Sequence, residues 1–511
     1  MKKRIVSVLA VLALCLTMLP VAVFAVHPLD GYAKGDKVMM DGREYTYLGD
    51  VTETGLAVDE WTVEEYGAAI AKAGEGYVSY YVEDGLVAMT LNNATITAMS
   101  EEDFAGYGIQ VEFYDAALKG IGKNTIEAAD TAISVSGCLT LTGEFQRIAG
   151  MNYGIYCGAV YGFGEEEVSV DGGEVMLNAN VAEVEGGIHS DSNLFINGTV
   201  GDVTNANGAA LSANGDLTIG KEAKVGKLIG ANYGIYVSCQ MDDAGEFPVS
   251  PSSVTIHGTV GDIVSMDLIE DEDCVYIHYG ILVFGGDLTI DGTVNSIQAG
   301  DYGVWVEGGQ FQGEENVTAG IQSAVPVTTV EWPSTWAYAE VMDAILWSLV
   351  PENLQGQYTQ ATTRAEYAAL ATCLYEAVTE GPIELTEAEK APFTDTQDEN
   401  VAKMAKVGVV NGMGDGTFAP DAKLTREQAA TMLSRLAYAV GEPLAAGSPN
   451  FADNGSISDW AFAAVGQVQA AEIMKGVEDN LFAPQRDYTR EQSILTMDRL
   501  FNLVFWDDEE A

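Results

Sequence analysis

The sequence predicts a molecule of mixed class, mainly β and then all-α: a parallel β-helix, or β-solenoid, over residues 76–330, followed by a three-repeat α-helical bundle over 332–504. Three observations carry that reading. From about Gly76 to Ser323, short alternating segments of two kinds recur, each closed by Gly or Asn. Past residue 330, one Thr-Arg box returns at Thr363, Thr425 and Thr489, 62 and 64 residues apart. Composition shifts between the two parts as well, since between residues 130 and 330 the only bases are Arg147, Lys221, Lys224 and Lys227. A chain of 511 residues that is 47% hydrophobic is long enough for two or three domains, each with its own core.

The N-terminus reads as an export signal over residues 1–25. Lys2, Lys3 and Arg4 precede an apolar run from Ile5 to Leu19, and Val23-Phe24-Ala25 offers small residues for cleavage, so the mature chain is expected to begin near Val26. Leu14 before Cys15 is too bulky for a lipoprotein site, and no later segment reaches the length of a membrane span. Cys138, Cys157, Cys239, Cys274 and Cys373 are odd in number and not closely paired, which is no disulfide framework. Residues 26–75 read as a small cap that covers the open end of the solenoid, with a short helix in EEYGAAIAKAG.

In the solenoid, YGIQV at 107, YGIYC at 153, YGIYV at 233, YGILV at 279 and YGVWV at 302 form one set. LTLTG at 139, LFING at 194, LTIGK at 217, VTIHG at 254 and LTIDG at 288 form the other. Alternation over about five residues followed by a turn residue is the pattern of a short strand. Leu194 and Leu217, and Gly280 and Gly303, lie 23 residues apart. A strand of that length buries nothing alone; stacked coils bury each apolar row on the next. The tyrosines of these segments read as stacking ladders, with sugar-stacking as the functional alternative.

Nothing in this region points to chemistry. A uronate lyase needs bases that the region lacks. The acids, among them Asp202, Asp216, Asp262, Asp287 and Asp291, recur at turns, where Asp is favoured for local reasons, rather than as a glycosidase pair. His27, His189, His257 and His278 show no metal-ligand spacing, and no Ser-His-Asp motif stands out.

In the C-terminal part, Thr363, Thr425 and Thr489 are placed as helix N-caps, and Glu366, Gln428 and Gln492, three residues on, complete capping boxes. Apolar stripes such as Ala430, Leu433 and Leu436, or Ile494, Leu495, Met497 and Phe501, follow. Arg364, Arg426 and Arg490 occupy the first helical position, where the helix dipole mildly opposes a cation. Helix formation therefore does not explain them. Upstream, VGVVNGMGDGTFAPDAKLTREQ aligns with AEIMKGVEDNLFAPQRDYTREQ, matching Gly412 with Gly476, Asp415 with Asp479, Phe418 with Phe482 and Pro420 with Pro484. FTD at 393 matches FAD at 451, and Trp336-Ala337 matches Trp460-Ala461.

These motifs resemble S-layer homology domains, three in tandem over about 332–380, 391–440 and 449–504, before an acidic tail at 505–511. The resemblance implies a three-pronged bundle whose inter-repeat grooves hold a secondary cell-wall polysaccharide carrying a pyruvate ketal. Its carboxylate would meet Arg426, Arg490 and Arg364, beside the loops of Gly412 and Asp415 and of Gly476 and Asp479, with Trp336 and Trp460 over a sugar face. A guanidinium gives a fixed carboxylate two parallel donors, which Lys does not. A carboxylate inside the fold is the competing anion. Repeat one, with LVPENLQGQYTQATTRAE, departs from the loop pattern.

The charge of −52, from 76 acids and 24 bases, excludes an extended nucleic-acid interface and disfavours anionic membranes. Such a surface gathers counter-cations, Ca²⁺ among them, but no motif places a metal site, and no cofactor is expected. The expected protein is an exported, non-enzymatic surface protein of a Gram-positive-type bacterium, bound non-covalently to wall polysaccharide and displaying the β-helix for structural or adhesive purposes, with a second glycan possible there. The absence of a Leu-Pro-x-Thr-Gly signal fits non-covalent attachment. The alternative is a wall-anchored glycosidase-type enzyme with its site on the β-helix.

Overall fold

The computed structural model describes Leu29 and residues 32–506, apart from 41–42, 53, 59–65, 73–75, 100–105, 159–172, 242–247 and 266–276. The export signal, His27, Cys274 and residues 507–511 lie outside the described residues. The chain divides into two compact units at Val330/Glu331.

The first unit is a parallel β-helix. One flank is a ten-stranded parallel sheet running Leu56–Val58, Tyr107–Val111, Thr131–Val135, Tyr153–Cys157, Ile188–Ser190, Ala209–Ala213, Tyr233–Ser238, Tyr279–Phe284, Tyr302–Glu307 and Val325–Val330. The other strands of each coil form a second, larger sheet that turns a corner at Asn197-Gly198, between Leu194–Ile196 and Thr199–Asn205. Register aligns like with like. Leu194 stacks on Leu217, Val254 and Leu288, and Ile155 on Ile188, Leu211, Ile235, Ile281 and Val304, all at most 1% exposed. Each such residue contributes roughly 1.5–3 kcal/mol by burial, which a lone coil cannot collect.

Corner polarity is satisfied from the inside. Asn124 is fully buried; its Oδ1 accepts from Ala94 N (2.9 Å) and its Nδ2 donates to Ile121 O (3.2 Å) and Glu144 O (2.9 Å), so one amide ties three coils together. The turn acids tie coils from the outside. Asp202 accepts from Lys227 N, Asp216 from Ser253 N and Asp287 from Gln310 N, each at 2.8 Å. The outward tyrosines stack on one another, Tyr233 on Tyr279 (5.6 Å) and Tyr279 on Tyr302 (5.2 Å). His257 and His278 each meet a carboxylate, Asp291 at 2.6 Å and Asp301 at 3.3 Å.

The N-terminal end departs from the expectation of a helix. Tyr66–Lys72 is a strand, antiparallel to Gly76–Glu83, which is antiparallel to Leu86–Asn92. Ala68, Ala69 and Ala71 are buried, and the space a Cβ would need at Gly67 is held by the Tyr80 ring, 2.4 Å away. Cross-strand packing overrides the helical propensity of alanine. Antiparallel pairing thus continues to Asn92, past the start of the solenoid read from sequence.

The second unit contains six α-helices among the described residues: α1 (Tyr338–Leu346), α2 (Arg364–Val378), α3 (Glu399–Lys406), α4 (Arg426–Ala439), α5 (Phe462–Ala470) and α6 (Arg490–Trp506). The apolar stripes of α4 and α6 are buried, Ala430, Leu433, Leu436, Ile494 and Met497 completely. No helix among the described residues is long and apolar enough to cross a membrane.

Candidate functional site

The second unit closes on itself as a ring of three repeats. At its centre Thr362 N donates to Tyr488 O (2.8 Å), Tyr488 N to Leu424 O (2.8 Å) and Leu424 N to Thr362 O (2.9 Å), a cyclic set of backbone bonds. One residue further on, Thr363, Thr425 and Thr489 cap α2, α4 and α6. Each hydroxyl accepts from the amide of Glu366, Gln428 or Gln492, whose side chain accepts from the Thr amide in return. The capping boxes are therefore structural.

The Arg that follows reaches across a repeat boundary. Arg364 Nε donates to Phe418 O and its Nη2 to Asn411 O, both 2.9 Å, in the loop of the second repeat. Arg426 makes the equivalent bonds into the third, to Phe482 O (2.7 Å) and Lys475 O (2.9 Å). Both guanidiniums sit over the phenylalanine that closes the loop, Phe418 at 4.5 Å and Phe482 at 5.1 Å. Arg490 returns to the first repeat, where Gly356 stands in the place of the aromatic residue. It donates to Gly356 O and pairs with Glu366 at 2.6 Å, and its Nε is buried without a partner. The three side chains are only 4–8% exposed, and burial lowers the pKa of Arg364 and Arg426.

These contacts answer what the helix dipole did not. A guanidinium at the head of each helix bolts the next repeat's loop in place. At Arg490 the internal carboxylate is the anion; at Arg364 and Arg426 peptide carbonyls take the donors. Among the described residues, Nη1 of Arg364 and of Arg426 has no hydrogen-bond partner.

The glycines and aspartates of the loops also have internal employment. A Cβ at Gly412 would come 2.7 Å from the Phe393 ring, and one at Gly476 3.2 Å from Phe451, so the aromatic residue of the Phe-x-Asp segment packs directly on loop backbone. The Asp of that segment cradles the next turn: Asp395 accepts from Phe418 N and Ala419 N, and Asp453 from Phe482 N and Ala483 N, at 2.7–2.8 Å. Asp415 accepts from Thr417 N (3.0 Å) and its hydroxyl, which holds its pKa below the usual carboxylate range. Asp479 and Asn480 adopt φ of 56° and 55°, the left-handed turn that Gly416 (88°) supplies in the second repeat.

What projects outward is aromatic. Trp336 and Trp460 are each 58% exposed, Met413 58% and Phe462 40%. Their turns are held by residues that pattern reading passed over. Glu427, 2% exposed, accepts from Ser458 N (3.0 Å) and Ser458 Oγ (2.9 Å), and Glu491, 4% exposed, does the same for Ser334. Each Arg-Glu pair therefore holds a loop with one member and a tryptophan-bearing turn with the other. The matched Ser-x-Trp-Ala segments at 334 and 458 were the available signal. In the first repeat Ala365 replaces the Glu, and α3 caps itself with Asp398, which accepts from Asn400 N and Val401 N.

Residues 393–430 and 450–492 match the family model of the S-layer homology domain. The chain is 28% identical over 186 residues to an endoglucanase of Bacillus sp. (strain KSM-635), covering 35% of this chain and 19% of that protein. It is 31% identical over 106 residues to a surface layer protein of Brevibacillus choshinensis, covering 20% of this chain and 9% of that one. The chain thus spans less than a fifth of either relative.

Proposed function

We propose that this chain, a cell-surface protein carrying S-layer homology domains, is held non-covalently to a secondary cell-wall polysaccharide at the junctions between its repeats and displays the acidic β-helix. The observation that carries the reading is the junction of the second and third repeats. There Arg426 keeps Nη1 unspent, and Glu427, the next residue, fixes the turn that exposes Trp460. A guanidinium with a nitrogen left over, at the junction whose adjoining turn exposes an indole, suits a sugar that bears a carboxylate, such as a pyruvate ketal. The Arg364 junction shares the open Nη1 but lacks a tryptophan, and the Arg490 junction has Trp336 but spends its terminal nitrogens on Gly356 and Glu366. Gly412, Gly476, Asp415 and Asp479 act by shaping the loops around these donors. The β-helix serves display or adhesion, with a glycan as its partner.

The test is co-sedimentation of the full chain with purified cell walls. Binding is expected to intact walls and to be lost on walls stripped of secondary polysaccharide. Removing only the pyruvyl groups is expected to weaken it. Trp460→Ala should weaken binding about tenfold, equivalent to ~1.4 kcal/mol, without moving the unfolding midpoint. Equal binding to bare peptidoglycan would sink the proposal.

A further inference from the structure

The tyrosine ladder on the parallel flank of the β-helix is interrupted. Along one outward file, register places Tyr107, Thr131 and Tyr153 on successive coils, and beyond the His189 coil Ala209 and then Tyr233. The neighbouring file runs Tyr156, His189, Ser212, Tyr236. The cleft of about 920 Å³ along these files runs from Tyr107 past Tyr153 and Tyr156 to Tyr233 and Tyr236, and between the last two tyrosine pairs two coils lack the bulky pair. Those two tyrosine pairs stand three coil spacings apart, roughly 14 Å.

Ser212 and His189 line that gap, and with Asp191 behind them three side chains are joined. Ser212 Oγ lies 2.8 Å from His189 Nδ1, and His189 Nε2 lies 2.8 Å from Asp191 Oδ1. The Asp191 carboxylate accepts the proton on Nε2, which fixes the neutral tautomer with its Nδ1 lone pair toward the serine. Tyr156 is stacked on the imidazole at 5.3 Å and 15°, holding the ring plane, and Asn214 Nδ2 reaches Asp191 Oδ1 at 3.3 Å. A hydroxyl hydrogen-bonded to an imidazole that is itself oriented by a carboxylate is the arrangement of an activated serine nucleophile.

We propose that Ser212, His189 and Asp191 make this cleft an acyl-transfer site that hydrolyses O-acyl esters of uncharged sugars. Ser212 Oγ attacks the ester carbonyl carbon as its proton passes to His189 Nδ1. The adduct collapses with cleavage of the acyl C–O bond, and His189 returns the proton to the departing sugar oxygen. Water, deprotonated by His189, then cleaves the acyl-serine ester and releases the carboxylic acid and free Ser212. Asn232 and Tyr236 line the same cleft and offer N–H and O–H donors to the oxyanion. Substrate class follows from the lining. Glu112 and Asp130 border the cleft and no Lys or Arg does among the described residues, so a carboxylate-bearing ester is repelled, while the tyrosine faces accept the C–H face of a sugar ring. The proposal does not depend on wall anchoring.

The full chain is treated with a fluorophosphonate probe and, separately, assayed with 4-nitrophenyl acetate and an acetylated neutral oligosaccharide. Labelling should map to the peptide containing Ser212 and vanish in Ser212→Ala. Hydrolysis should fall about 100-fold or more in Ser212→Ala and His189→Asn, the scale of a lost nucleophile or general base. Asp191→Asn should lower kcat with KM unchanged, because Asp191 positions the base without touching substrate. Thr289→Ala, on the other sheet, should leave both readouts intact. If Ser212→Ala fails to fold, Ser212→Cys keeps the shape and should transfer reactivity to a thiol reagent. No labelling of Ser212 under conditions that label a serine esterase, or hydrolysis unchanged in Ser212→Ala, overturns the proposal and leaves the three residues as a polar ladder between coils.

Discussion

Asp498 shows how much a single buried group can demand. It lies on α6, 2% exposed, with Oδ2 accepting from Asn502 and Oδ1 without a partner. Burial, then the nearby negative charges of Asp343 and Glu340, push its pKa up to about 8, against the opposing pull of Arg499. Arg499 is itself bonded to Glu340 at 2.6 Å. The folded pKa is raised, so the folded state prefers the protonated acid. The associated stability is fully present below the unfolded value near 4 and is lost as pH rises through about 8. The expected outcome is a urea midpoint for the C-terminal unit that declines from pH 4.5 to 8.5, with much of the decline absent in Asp498→Asn. Parallel curves for the two proteins would mean that Asp498 is ionised in the fold.

At the scale of elements, the repeats cap one another's helices, and the exception shows the rule. Ser334 and Ser458, ahead of α1 and α5, are bound by Glu491 and Glu427 from the preceding repeat in the ring, whereas α3 relies on its own Asp398 because Ala365 has no carboxylate. Glu427→Ala removes two accepting contacts from Ser458 and strands a half-buried amide, so it should cost about 1–3 kcal/mol. Asp398→Ala removes a more exposed cap and should cost about 1 kcal/mol. Denaturant titration ranks the two, and hydrogen exchange at the Ser458 amide should accelerate only in the first. The reverse ranking would show that the inter-repeat carboxylate is dispensable.

Across the whole molecule, charge is the dominant unspent cost. A net charge of −52 repels itself, and cations within the β-helix are few. Arg147 bonds Glu127, Glu183 and Glu185, and Lys227 meets Asp262 at 3.2 Å. Raising NaCl from about 10 mM to about 0.5 M shortens the screening length from ~30 Å to a few ångströms, which should raise the thermal midpoint of the β-helix. Lys227→Gln should lower it only at low salt. A midpoint independent of salt would mean that the turn carboxylates, bonded to backbone amides of the next coil, are already neutralised locally.

Much of this architecture was legible because it is written in local repetition. The alternation of LTIGK or YGIYV specifies a strand and its buried face, the 23-residue spacing specifies stacking, and Thr-x-x-Gln specifies a helix start, each within a few residues of chain. The resemblance of the repeats to S-layer homology domains was legible for the same reason. The strand at Tyr66–Lys72 was not, because alanine and glycine carry a weak local preference and the neighbouring Tyr80 strand decided the outcome. The destination of the arginines was also hidden: Arg364 finds its carbonyls 47 and 54 residues away, a distance that only closure of the ring removes. Ser212 and His189 are one coil apart, so folding the sequence at its own period would have put them side by side, yet the Oγ to Nδ1 contact exists only once parallel register is set. Sequence alone determined which segments form and which faces they bury, since propensity and hydrophobic patterning act locally. Tertiary structure decided which charges and donors are spent inside the fold, because that depends on partners brought together from distant parts of the chain.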